Sequence, residues 1–165
     1  MTTKEVSSRF MELAHQNKYD QIQEELYAAH CESIEPASGA ASGMLNASGI
    51  DSIKEKGKQF NANVEEMHGG YVGDPIIVGN YFTVPMGMDV TLKGAGRVNM
   101  DEIAVYEVKD GKITKEQFFY WDWFPNAIAE NTNSSKGWKW LSNVSLSTFF
   151  ILISLSLKIF GSNWI

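Results

Sequence analysis

The spacing of apolar residues changes from every third or fourth position to every second position near residue 64. The first part therefore has the period of amphipathic helices, and the second has the period of strands with one buried face. A capping box, Thr2-x-x-Glu5, begins a first helix that we expect to end near residues 16–17. A second helix is predicted from apolar residues three and four positions apart, namely Tyr19, Ile22 and Leu26.

A short strand and a loop separate the second helix from a third. The strand is predicted at residues 31–35, because Pro36 favours extended backbone at the residue before it. Residues 36–49 are rich in Gly, Ser and Ala and have no periodicity, so we expect a mobile loop and a candidate lid over a cavity. Ser48-x-x-Asp51 is expected to cap the third helix. That helix should bury Ile50, Ile53, Gly57, Phe60 and Val64.

Three or four antiparallel strands are predicted after residue 64. The first covers residues 64–72 and the second covers 76–91. A third, at 97–108, alternates strictly between apolar and polar residues. Asp110-Gly111 is a strong hairpin signal, because this dipeptide supplies the positive φ angles of a tight turn. The last strand is predicted at 113–124.

An acid, Glu102, interrupts the apolar face of the 97–108 strand. The other residues on that face are Val98, Met100, Ala104, Tyr106 and Val108. An unpaired charge in a core costs several kcal/mol, so this residue needs a partner, a proton or a chemical role. One interpretation pairs Glu102 with Gln117, with Lys115 or with a helix end. The other keeps it protonated in apolar surroundings, where it would donate a hydrogen bond.

Helices followed by antiparallel strands indicate the α+β class. We expect a cone-shaped, curved antiparallel sheet wrapped around the N-terminal helices, with a cavity on its concave face. Residues 1–124 should form this domain, 125–137 a polar linker and 138–165 an apolar C-terminal segment. The uncharged stretch 141–157 has the aromatic and basic flanks of a marginal membrane span. A packed helix and a non-native tail are the alternatives for this segment.

Composition narrows the class of protein and its partners. The net charge is −6 and the basic residues are scattered, which argues against a nucleic-acid partner. The single cysteine, Cys31, excludes an internal disulfide and suits a reducing compartment. The N-terminus has no secretory signal, so a cytoplasmic location is expected, with membrane association through 141–157 as the alternative. The acids, histidines and cysteine lack metal-ligand spacing, so neither a metal nor another cofactor is expected.

The order of the elements, with the motifs LYAAHCESIEP and VYEVKDGKI, resembles the nuclear transport factor 2-like superfamily. Within it, the chain is most similar to the SnoaL-like and ketosteroid isomerase-like branch. The resemblance implies an α+β barrel with a pocket at its open end, often dimerised through the outer face of the sheet. It places Glu35 at the general base of ketosteroid isomerase. The two oxyanion donors of that enzyme fall on Phe10 and Ala104, which cannot donate, so that specific reaction is not expected.

Glu35 and Glu102 are therefore the candidate catalytic residues, as base and as acid or hydrogen-bond donor in cofactor-free proton transfer. The expected ligand is small, apolar and carbonyl-bearing. The other predicted pocket residues are Phe10, His68, Phe82, Met86, Met88, Met100, Ala104, Tyr106 and Gln117. His68 has a purely structural alternative, and the apolar residues could be plain core.

A non-catalytic module is the competing interpretation of the whole chain. It would bind a ligand, dimerise or act as an adaptor, and an adaptor predicts a filled cone with an exposed apolar rim. A homodimer is expected through the convex face of the sheet, where Ile103 and Val105 place two β-branched residues.

Overall fold

The computed structural model describes residues 1–120, without the side chains of residues 40–42. The predicted linker at 125–137 and the apolar segment at 138–165 lie outside the described residues, as does the candidate span at 141–157. The end of the predicted last strand lies outside them as well. Within residues 1–120, no helix is both long enough and apolar enough to cross a membrane.

Helices and strands follow the predicted order, and the α+β class is confirmed. The first half of the described chain contains α1 (Thr3–Ala14), α2 (Tyr19–Leu26), β1 (Tyr27–Ile34), a 3-10 helix (Ala37–Ser42), β2 (Ala47–Ser48) and α3 (Ile50–Asn63). The second half contains β3 (Val64–Val72), β4 (Ile76–Val78), β5 (Tyr81–Leu92), β6 (Gly96–Lys109) and β7 (Lys112–Tyr120).

The predicted cap of the first helix is confirmed, and that of the third is wrong. The Thr2 Oγ1 atom accepts a hydrogen bond from the Glu5 backbone N–H at 3.3 Å, and the Glu5 carboxylate accepts from the Thr2 N–H at 2.7 Å. At α3, the N-cap is Gly49, whose φ is +83° and which makes no side-chain cap. Ser48 cannot take that position, because it lies in β2 and pairs with Glu32 of β1.

Seven strands form one curved sheet. Six of them lie in the order β2-β1-β7-β6-β5-β3, and the seventh, β4, pairs with β5. The hairpins β5-β6 and β6-β7 are antiparallel, as predicted. β1, however, runs parallel to β7, so the sheet is mixed rather than antiparallel throughout. The reason is that β1 enters the sheet from α2 and not through a hairpin, and only a hairpin forces its two strands to be antiparallel.

Two further boundaries differ from the prediction. The single strand expected at 76–91 is two strands, because the chain reverses at Gly79, whose φ is +61°, and β4 folds back onto β5. The loop expected at 36–49 contains the 3-10 helix and β2.

The core lies between α1, α2 and the concave face of β5 and β6. Alternation places Phe82 and Val84 of β5, and Ala104 and Tyr106 of β6, on that face, and all four are buried. Phe10 of α1 packs there with its ring centroid 4.8 Å from that of Tyr106 and 5.5 Å from that of Phe82. The core thus fills one end of the concave face with aromatic rings.

Candidate functional site

Beside this core a cavity of about 220 Å³ is bounded by α1, α2, α3, β1 and the concave face of β5, β6 and β7. Most of the side chains around it are apolar, and they include five of the predicted pocket residues, Phe10, Met86, Met88, Met100 and Tyr106. Three acids, Glu35, Glu102 and Glu116, and one base, Lys56, also line it. An apolar cavity of about 150 Å³ holds a benzene-sized molecule, so this one has room for a compact ligand.

Glu35 lies directly after β1 and is held by two elements, α3 and β7, and by the segment before β2. Its Oε1 atom accepts a hydrogen bond from the Lys56 Nζ of α3 at 2.6 Å, and its Oε2 atom accepts one from the Tyr120 hydroxyl of β7 at 3.0 Å. Its backbone N–H donates to the Asn46 Oδ1 at 2.9 Å, which joins it to the segment before β2. Both carboxylate oxygens therefore accept hydrogen bonds, and Glu35 lines the same cavity as Glu102.

Lys56 balances the charge of Glu35 in a sheltered position. Only 15% of the Lys56 side chain and 2% of the Glu35 side chain are exposed. The Nζ atom also donates to the Ser33 Oγ at 2.5 Å and lies 5.3 Å from the centroid of the Phe118 ring. Such a pair, with hydrogen bonds on both partners, keeps a charge tolerable in a place that water barely reaches.

Glu116 is a buried acid at the back of the cavity. The Tyr27 hydroxyl donates a hydrogen bond to its Oε2 atom, and Ser33 hydrogen-bonds to it as well. Burial raises the pKa of Glu116, and these two hydrogen bonds oppose that rise. Ser33 therefore connects Glu116 to Lys56, and through Lys56 to Glu35.

Glu102 is placed on the cavity side by the register of β6, where it pairs with Met86 of β5 and with Tyr120 of β7. Burial raises the pKa of Glu102 to about 8; the nearby Glu35 and Glu116 add to the rise, and Lys56 opposes it. Within residues 1–120, no hydrogen bond contributes to this shift. A pKa of about 8 favours the protonated form of Glu102 at pH 7, and this residue lines the cavity.

The partners considered for Glu102 from the sequence lie on the other side of the sheet. Lys115 pairs with Glu107 and Gln117 pairs with Val105, both on the convex face. The prediction that Gln117 lines the pocket was therefore wrong. The cause is a β-bulge between Glu107 and Val108, which shifts the β6–β7 register by one residue and so turns Gln117 to the opposite face.

Three other predicted pocket residues do not line the cavity. Phe82 and Ala104 are fully buried within the core beside it. His68 was also predicted wrongly, because a register shift between Met67 and Gly69 turns it outward. Its Nε2 atom lies 2.7 Å from the Oγ1 of Thr91. Because the neighbours of Thr91, Val90 and Leu92, are buried, alternation places Thr91 on the opposite, outer face of β5.

Sequence reasoning missed Lys56, Glu116 and Tyr120. A signal existed for Lys56, because it follows the buried Ile53 by three positions and precedes the partly buried Phe60 by four, which places it on the same face of α3 as these two residues. No comparable signal existed for Glu116, since its face depends on the bulge between β6 and β7.

Comparison with known proteins extends over the same part of the chain. A family model for the SnoaL-like domain matches residues 1–120. A solved structure of a proposed SnoaL-like polyketide cyclase from Mesorhizobium loti is 36% identical, covers 73% of this chain and 100% of its own, and gives a TM-score of 0.67. An NTF2-like protein of unknown function from Burkholderia pseudomallei is 14% identical, covers 76% of this chain and 100% of its own, and gives a TM-score of 0.61.

A second NTF2-like protein, from Burkholderia thailandensis, is 13% identical, covers 79% of this chain and 96% of its own, and gives a TM-score of 0.64. The two Burkholderia structures show the fold alone. No curated protein matches the chain. The resemblance drawn from the motifs is confirmed, and the chain belongs to the SnoaL-like family, with an NTF2-like fold.

Proposed function

We propose that the chain binds a small, largely apolar, carbonyl-bearing molecule in this cavity, and that Glu35 and Glu102 move a proton on it without a cofactor. One observation carries the proposal: two carboxyl groups line one apolar cavity in contrasting surroundings. Glu35 is paired with Lys56 at 2.6 Å, whereas burial and the neighbouring acids raise the pKa of Glu102 to about 8. Environments that separate two carboxyl groups in this way assign the roles of base and acid.

In this mechanism Glu35 removes a proton from the carbon next to the ligand's carbonyl group. Negative charge then develops on the carbonyl oxygen, and a donor aimed at that oxygen lowers the barrier. Glu102 supplies the donor, because its carboxyl group carries a proton at pH 7. It thereby replaces the donors that Phe10 and Ala104 cannot provide. Lys56 remains beside Glu35 and limits the change of charge in the cavity.

The name given to a relative supports a carbonyl-bearing ligand. The Mesorhizobium loti protein, 36% identical and covered over its full length, is described as a proposed SnoaL-like polyketide cyclase. Polyketide chains carry several carbonyl groups. A ligand of this chemical class would use both the apolar walls and the two acids of the cavity.

Deuterium exchange tests the proton transfer directly. β-Tetralone, a compact two-ring ketone, is incubated with the protein in heavy water, and loss of the hydrogens next to its carbonyl is followed by NMR. We expect the exchange rate with wild-type protein to exceed the rate in buffer alone. Glu35→Gln should lower this excess rate roughly 100-fold or more. Glu107→Gln, which changes an acid on the convex face of β6, is the matched control and should retain it. A wild-type rate equal to that of buffer would end the catalytic proposal.

Binding without chemistry is the second candidate, and it is favoured by the two hydrogen bonds on Glu35. Its carboxylate oxygens already accept from Lys56 and Tyr120, so a ligand proton would have to compete with these two donors. The same experiment separates the candidates. Saturable shifts of the β-tetralone signals without faster exchange would identify a binding protein. The adaptor form of this interpretation predicted a filled cone, and the cavity of about 220 Å³ argues against it.

We also propose that the chain forms a homodimer through its convex sheet face. Ile103 of β6 and Phe119 of β7 are register partners there, and each is 50% exposed. Adjacent exposed apolar side chains of this size are typical of an interface.

Light scattering coupled to gel filtration tests the dimer. Wild type should have twice the mass of the chain, and Ile103→Asp should have the mass of one chain. The matched control is Val78→Asp on β4, which removes a side chain that is 71% exposed outside the β6–β7 face. It should remain dimeric. A monomeric wild type at micromolar concentration would contradict the proposal.

A further inference from the structure

The cavity holds an excess of acidic groups. Glu35, Glu102 and Glu116 line it, and among residues 1–120 Lys56 is the only basic residue that does so. The ammonium group of Lys56 is already used, since it donates to Glu35 at 2.6 Å and to Ser33 at 2.5 Å. An anionic ligand would therefore meet the carboxylate of Glu35 without finding an unpaired cation.

The walls suit an uncharged or positively charged organic group. Aromatic and thioether side chains dominate them, including Tyr19, Phe60, Tyr106, Phe118, Met86 and Met88. The faces of aromatic rings attract cations, and one such contact is present, with the Lys56 Nζ 5.3 Å from the centroid of Phe118. Glu102 adds a carboxyl group to the same cavity and is the register partner of Met86 in the β5–β6 pair.

The inference rests on the proposed function, namely that the cavity binds a small molecule. We propose that the cavity selects its ligand by charge: it accepts uncharged molecules and organic ammonium ions, rejects carboxylates, and releases the proton of Glu102 to solvent when an ammonium ion binds. In that step the O–H bond of Glu102 breaks, the proton passes to the buffer, and the resulting carboxylate pairs with the bound cation. No other bond changes.

The groups that act on Glu102 explain why binding and proton release are coupled. The groups that interact with it electrostatically are Tyr19 of α2, Glu35 directly after β1, Lys56 of α3, Tyr71 of β3, Tyr106 of β6, and Glu116 and Tyr120 of β7. Among them only Lys56 is a cation that favours the charged form of Glu102. A ligand cation would add a second positive charge, and an opposite charge within a few ångströms strongly favours ionisation. At pH values well above 8 the proton is already lost, so release should vanish.

Three probes of similar size separate these effects by titration calorimetry. Neopentylbenzene and benzyltrimethylammonium differ by one atom, carbon against charged nitrogen, and 3-phenylpropanoate supplies the carboxylate. Titrations at pH 7 in two buffers with different ionisation enthalpies count the protons released. We expect the ammonium ion to bind at least as tightly as the neutral probe, and the carboxylate at least about tenfold more weakly. Ammonium binding should release roughly 0.5–1 proton at pH 7 and none at pH 9.5.

Variants assign the proton to Glu102. Glu102→Gln should abolish the release and weaken ammonium binding about tenfold, with the neutral probe little affected. Glu107→Gln, which keeps all cavity acids, should behave as wild type. Equal binding of carboxylate and ammonium, or ammonium binding without proton release by wild type, would overturn the inference. Binding of the neutral probe alone would leave the proposed function standing and refute the charge selection. Failure of all three probes to bind would refute both.

Discussion

At the scale of single residues, Lys56 decides the charge state of the cavity. It pairs with Glu35, opposes the rise in the pKa of Glu102 and opposes that of Glu116. Removing one partner of a sheltered ion pair leaves the other charge without compensation, which costs more than the pair itself contributes. Lys56 is therefore a residue on which both the stability of the fold and the protonation of the site depend.

Lys56→Met should lower the free energy of unfolding by roughly 3 kcal/mol, because Glu35 would remain buried without its cation. Urea unfolding followed by circular dichroism measures this change. The matched control is Lys54→Met on the same helix. The Lys54 Nζ lies 3.5 Å from the Glu24 Oε1, and the two side chains are 33% and 65% exposed, respectively. That loss should be about 0.5 kcal/mol or less. Equal losses would show that the Lys56–Glu35 pair contributes no more than a surface pair.

At the scale of elements, the 3-10 helix between β1 and β2 supports the position of Glu35. Gly39 lies in this helix, and a Cβ at that position would overlap the Tyr120 hydroxyl, which donates to Glu35. The Gly39 backbone N–H donates to the Pro36 carbonyl at 2.9 Å, and its carbonyl accepts from Met44 at 3.0 Å. Absence of a side chain at Gly39 thus lets β7 reach the end of β1.

Gly39→Ala should displace the Tyr120 hydroxyl from Glu35 and lower the free energy of unfolding by about 1 kcal/mol, the usual contribution of one hydrogen bond. In a Tyr120→Phe background the same change should cost less, with a coupling energy of about 0.5 kcal/mol or more in a double-mutant cycle. Gly57→Ala is the control: its Cβ would meet nothing within 4 Å, and alanine should stabilise helix α3 slightly. Additive losses for Gly39→Ala and Tyr120→Phe would contradict the contact.

The strands differ in how far their own sequences predict them. Strict alternation in β6 places Met100, Ala104 and Tyr106 on one buried face, and the structure confirms it. In β7, polar and aromatic residues follow one another without alternation, so its faces depend on pairing with β6. Without the bulge, a count across the hairpin would bring Gln117 opposite Ala104, whereas the observed register brings Phe118 there. A single inserted residue therefore decides whether Glu116 or Gln117 lies on the cavity side of β7.

At the scale of the whole molecule, the site is assembled from positions far apart in the chain. Tyr120 and Glu35 are separated by 85 positions, and Tyr27 and Glu116 are separated by 89. Local periodicity predicts which face of a helix or strand is buried, but it does not predict which residues of different elements meet. This is why Glu35 and Glu102 could be proposed from a motif and from alternation, whereas the contacts of Glu35 with Lys56 and Tyr120, and the presence of Glu116 in the same cavity, required the fold.

The central claim is that the cavity holds a neutral carboxylic acid at pH 7. Carbon-13 NMR of the side-chain carboxyl of Glu102, assigned by its disappearance in Glu102→Gln, measures this directly. Because burial and the neighbouring acids Glu35 and Glu116 all favour the protonated form, we predict a titration midpoint near pH 8. In Lys56→Met the midpoint should move higher still, since the opposing cation is removed. A wild-type midpoint near the ordinary value of 4.5 would contradict the account.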